Sequence, residues 1–134
     1  MKPTVRAIAE EVRIGTEWSE IHPEPPLEVS KQVQRVTIEV PDVADWDVRP
    51  DSGAFVTPDG TPIRIEVELI GADGARFSLD SLGLGPGLTF SYLPAGAEPQ
   101  GSRLPPSMKF NTVRLRSDTP LEAGRVSWIC ITNY

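Results

Sequence analysis

The stretch P-I-R-I-E-V-E-L-I at residues 62–70 decides the fold. Ile63, Ile65, Val67 and Leu69 recur at every second position, and Arg64, Glu66 and Glu68 fill the places between them. Successive side chains of a strand point to opposite faces, so this period describes a strand with one apolar and one charged face. Gly71-Ala72-Asp73-Gly74 follows as a tight turn, and residues 75–79 return as the hairpin partner.

Working outward, the same period recurs. Val36, Ile38 and Val40 face inward from residues 32–40, with Arg35, Thr37 and Glu39 outward, and Pro41 ends the strand. Residues 54–57 form a short strand before the turn Pro58-Asp59-Gly60. Residues 88–93 alternate again, as do residues 108–116, with Val113 and Leu115 inward and Arg114 and Arg116 outward. Residues 117–124 read as a turn. Residues 125–132 carry apolar side chains on both faces, which places this last strand centrally. Residues 4–14 fit either a helical stripe of Val5, Ile8 and Val12 or one strand face of Ile8, Val12 and Ile14 interrupted by Glu10, and the strand is preferred because Gly15 follows at once and the stretch is short for an isolated helix. Residues 16–30 read as an extended edge strap, with Trp18 and Ile21 as anchors on the core. Residues 80–87 are a Gly-rich corner loop, and residues 94–107 a long irregular loop. Short strands with a turn signal every eight to twelve residues or so indicate an all-β fold. The expectation is one domain, residues 1–134, built as an antiparallel β-sandwich, jelly-roll-like, of about eight strands.

Composition narrows the function classes. The formal charge is -6, which repels phosphate backbones, so no nucleic-acid partner is expected. Residues 1–53 hold eleven acids against six bases, whereas residues 103–125 hold five bases against two acids. In a sandwich, such segments pair their charges across neighbouring strands. The one cysteine, Cys130, reads as a buried thiol and permits no internal disulfide. No apolar stretch of signal-peptide length opens the chain, and no run reaches the ~20 apolar residues of a membrane span. The default compartment is therefore cytoplasmic, with a processed secreted form as the alternative.

Chemistry-bearing motifs are sparse. The single histidine, His22, cannot build a histidine metal site, and no strained nucleophile turn of the G-x-S-x-G type occurs. Gly83 to Gly87 lacks the Lys-Ser/Thr ending of a phosphate loop. The acidic loop at residues 41–53 offers Asp42, Asp45, Asp47 and Asp51 as oxygen ligands for Ca²⁺, although solvated turn acids explain them as well. Within it Trp46 stands between Asp45 and Asp47. An aromatic ring flanked by carboxylates can stack on a sugar ring while the acids accept from its hydroxyls. The competing reading makes Trp46 a plug at the end of the sandwich.

About eight strands, the closing phrases F-N-T-V-R-L-R-S-D-T-P-L and V-S-W-I, and the lack of catalytic groups resemble a jelly-roll module of the galactose-binding-like type. That resemblance implies a non-catalytic domain that binds carbohydrates, lipids or proteins through end loops, in some cases with a structural Ca²⁺. It lacks the terminal disulfide usual in that family. The leading expectation is a module for a carbohydrate or similar polyol, using Trp46, Asp45, Asp47 and Tyr92. Two alternatives stand beside it: an assembly protein acting by protein contact, including homo-oligomer formation, and a small carboxylate-dependent hydrolase.

Overall fold

The computed structural model describes residues 4–29, 33–41, 45–48, 54–84, 87–92 and 108–131. Among them are fourteen strands and no α-helix: β1 (Thr4–Ala9), β2 (Val12–Ile14), β3 (Ser19–Ile21), β4 (Leu27–Glu28), β5 (Val33–Ile38), β6 (Asp47–Val48), β7 (Phe55–Val56), β8 (Pro62–Ile63), β9 (Ile65–Gly71), β10 (Arg76–Leu84), β11 (Leu88–Ser91), β12 (Lys109–Ser117), β13 (Leu121–Ala123) and β14 (Val126–Ile131).

One long antiparallel sheet carries the fold, in the order β1-β14-β5-β11-β10-β9-β12-β3, with β4 also on β12. It becomes two layers because β10 serves both. Residues Arg76 to Leu79 pair with β9, and Asp80 to Leu84 pair with β11 across a register shift between Ser81 and Gly83. A strand that bends at such an irregularity turns the corner from one layer to the next. The backbone therefore continues as strand through Gly83, where the glycines read as a corner loop. On the opposite side the layers meet without a ladder among the described residues. There the Trp128 indole N–H donates to the Glu28 carbonyl at 3.3 Å, and Arg6 donates to the Pro25 carbonyl at 2.6 Å.

The core lies between the layers. Val36, Ile38, Leu88, Phe90 and Val126 come from one, and Val67, Leu69, Val113 and Leu115 from the other, all nearly or fully buried. A chain of edge-to-face aromatic contacts links Tyr92, Phe77, Phe110 and Trp128. The hairpin around Gly71–Gly74 forms as its sequence implies, with Gly74 at φ +89° and Asp73 accepting from the Ala75 N–H. β14 sits between β1 and β5, as its two apolar faces require.

Three further readings are corrected. Residues 4–14 form two strands, β1 and β2, interrupted at Glu10 and Glu11. The stretch read as a turn after Ser117 contains β13, which pairs with β2; a short strand made by a distant partner leaves little local signal. Trp18 is not a core anchor, and its place is described below. The charge pairing of the terminal segments holds. Arg13 meets Glu122, Arg125 meets Glu10, and Lys109 meets Glu28.

Candidate functional site

The outer face of the second layer is an array of polar side chains whose positions follow from register. Glu20, Arg114, Glu68 and Ser78 lie side by side on β3, β12, β9 and β10. Arg116 lies beside Glu66 in the next row, and Thr112, Ile70 and Arg76 share the row on the other side. Directly opposite residues of antiparallel strands hold their Cβ atoms about 5 Å apart, close enough for long side chains to pair. Arg114 Nη2 reaches Glu68 Oε1 at 2.8 Å, and Arg116 Nε reaches Glu66 Oε2 at 2.5 Å.

Trp18 enters this face just ahead of β3. The guanidinium carbons of Arg114 and Arg116 stand over its ring at 4.1 and 4.2 Å from the centroid. A guanidinium over an indole face gains from the ring's negative potential. The indole also helps to keep water from the Arg114–Glu68 pair, whose side chains are only 15% and 14% exposed.

Beside Trp18 runs a groove of about 460 Å³, walled by Arg64, Glu66, Ser78, Asp80 and Arg116. A shallower extension of about 240 Å³ continues past Arg64 and Arg116 to Thr16, Ser117 and Asp118. Asp118 accepts from the Arg64 backbone N–H at 3.0 Å. Asp80 forms no ion pair among the described residues, and partial burial raises its carboxyl above the ordinary range. A larger groove of about 700 Å³ lies at the β2–β13 ribbon, between Arg13, Glu39, Glu122 and Arg125. Its arginines are already paired with Glu122, Glu10 and Glu39, and no aromatic lines it, so it offers no stacking surface.

The residues singled out in the sequence are placed differently. Trp46 is half-buried against the core just ahead of β6, whose ladder with β7 and β8 makes a small separate sheet. Tyr92 is also half-buried, 5.5 Å edge-on to Phe77. Asp45 and Asp47 are exposed beside Trp46. Asp42 and Asp51 lie outside the described residues. Among the described residues no group of three acids, histidines or cysteines comes together to hold a metal. His22 stands 3.4 Å from Glu20 and 3.3 Å from the Thr112 hydroxyl. This carboxylate–imidazole–hydroxyl row has the order of a triad, but the imidazole is 65% exposed and the hydroxyl also contacts Asn111. The water-excluded setting that activates a nucleophile is lacking. Cys130 is buried, as expected.

The Trp18 groove was missed because its parts are far apart in the chain. Alternation showed that Arg64, Glu66, Glu68, Arg114 and Arg116 face outward. Nothing local showed that β12 lies beside β9, or that Trp18 crosses over both arginines.

No family model, curated protein or solved structure matches this chain. Among the described residues no helix is long and apolar enough to cross a membrane.

Proposed function

We propose that the chain is a binding domain for a saccharide or similar polyol, and that the ligand lies in the Trp18 groove. The observation that carries this reading is an indole set beside fixed donors and acceptors on a rigid sheet face. Arg116 and Glu66 hold each other in place, and Ser78 and Asp80 also line the groove. Polyol recognition needs an apolar surface for the C–H face of the ring and polar groups whose positions are set before binding. Cross-strand ion pairs supply that order. The described surface also favours a small ligand over a broad apolar interface, because Val5 is the one large apolar residue found exposed on it.

Titration of a panel of neutral oligosaccharides, followed by indole fluorescence and chemical-shift change, tests the reading. Trp18→Ala should abolish binding, and Trp46→Ala should leave it intact. If Trp46→Ala alone removes binding, the site lies on the end loop. If no saccharide binds, the reading fails.

A second reading rests on Glu66 and Asp80 sharing the groove. A carboxyl raised above its ordinary range that lines the same groove as an ion-paired carboxylate offers the separate acid and base roles that glycoside hydrolysis needs. Release of new reducing ends that is lost in Asp80→Asn would establish it. Bound saccharide that stays uncleaved would exclude it.

A further inference from the structure

We infer that the outer face of the first layer carries an oxyanion site, in which the Arg35 guanidinium receives a phosphate, sulfate or carboxylate group. This site is on the other layer from the Trp18 groove and does not rest on the saccharide reading.

Arg35 stands on β5, which lies between β14 and β11. The next residue, Val36, is fully buried in the core, so Arg35 faces outward. Arg64 and Arg76 also lack side-chain partners among the described residues, but both are exposed, where water matches the charge. Arg35 is half-buried. Its Nε is the one buried side-chain nitrogen or oxygen among the described residues with no hydrogen-bond partner. A guanidinium N–H taken from water without an acceptor loses a charge-assisted hydrogen bond.

The neighbours in register do not restore that bond. Ile129 on β14 is apolar, and the Ser91 hydroxyl on β11 donates to the Gln34 carbonyl at 2.9 Å. Beyond Ile129 the row ends at Val5. Beyond Ser91 it reaches Asp80, two strands from Arg35 and about 10 Å away between backbones. Two residues along β5 on the same face, Thr37 sits between Ser127 and Thr89, all three buried. Thr37 and Ser127 form no side-chain hydrogen bond among the described residues, so their hydroxyls add donors near the guanidinium. A partly desolvated cation with hydroxyl donors on one side and an apolar wall on the other is matched by an oxyanion, whose charge-assisted bonds face little competition from water.

The test follows the arginine Nε–H resonances of the full chain by NMR as phosphate, sulfate or acetate is added in a low-salt zwitterionic buffer. Sodium chloride at matched ionic strength is the blank, and the exposed Arg64 reports the non-specific response. Arg35 should saturate at a concentration roughly tenfold lower than Arg64, the size of effect that one charge-assisted hydrogen bond gives. A response to phosphate and sulfate alone assigns a tetrahedral oxyanion, and a response to acetate as well extends the site to carboxylate groups. The anion should also raise the melting temperature of the parent, and Arg35→Met should lose that rise. The inference is overturned if Arg35 responds no more than Arg64 to all three anions, or if Arg35→Met gains as much from the anion as the parent does. It is also overturned if Asp80→Asn shifts the Arg35 resonance in anion-free buffer, because Asp80 is then its internal counter-charge. Each of these outcomes leaves saccharide binding in the Trp18 groove untouched.

Discussion

Arg114 Nη2 lies 2.8 Å from Glu68 Oε1 on the outer face of the second layer, although that face is turned toward solvent. The cover comes from Trp18, whose ring lies against Arg114 and Arg116. A pair on an open sheet face would be screened and worth little. This one is enclosed enough that each charge depends on the other.

Glu68→Leu should therefore cost about 2 to 3 kcal/mol, because it strands a covered guanidinium. The double variant Arg114→Leu, Glu68→Leu should recover most of that loss. Urea denaturation of the singles and the double, treated as a thermodynamic cycle, measures the coupling. Additive losses would show that the pair is solvated in practice.

Gly87 lies so close to β5 that a Cβ there would come within 2.5 Å of the Ile38 carbonyl oxygen and 2.9 Å of its carbonyl carbon. Both atoms are backbone and cannot step aside. Gly87→Ala should cost about 2 kcal/mol, in the range of overpacking substitutions. Gly15→Ala has open space around it and serves as the control in the same thermal melts.

The turn after β7 is held by Asp59, which accepts from the Thr57 hydroxyl and from the Thr61 N–H. These bonds, the Thr57 hydroxyl first, lower its carboxyl below the ordinary range. A carboxyl lowered in the folded state stabilises above its unfolded pKa, and that share is lost as pH falls through the folded value. Asp59→Asn should thus be less stable than the parent at neutral pH. The difference should shrink once the medium is acid enough to protonate Asp59. Melts across that range check the sign.

β1 is an outer strand of the long sheet, and Val5 on it is 60% exposed. Pairing two copies along a six-residue edge would bury less than the roughly 1,200 Å² of a stable interface. This edge by itself should therefore not hold a dimer, which sedimentation from low to high salt checks. A dimer that Val5→Lys disperses would instead identify this edge as an assembly surface.

The strand faces were legible because they depend on a local rule. Ile63, Val67 and Leu69 are buried and Arg64 and Glu66 exposed, as period-two spacing requires. Trp46 drew attention for a reason equally local, the acids on either side of it, yet it packs against the core. Trp18 lacked such neighbours in the chain, and its partners are Arg114 and Arg116, nearly a hundred residues on.

The sequence by itself determined the all-β class, the hairpin of β9 and β10, the central place of β14 and the charge exchange between the terminal segments. Each follows from side-chain alternation, turn chemistry or net charge, which act over a few residues or need no exact partner. Only the tertiary structure decided that β10 bends from one layer into the other, that β12 lies between β9 and β3, and that Trp18 rests on two arginines. Those outcomes depend on which strand pairs with which and in what register. Many apolar strands of similar length satisfy the same local rules, so the choice falls to the packing of the whole core.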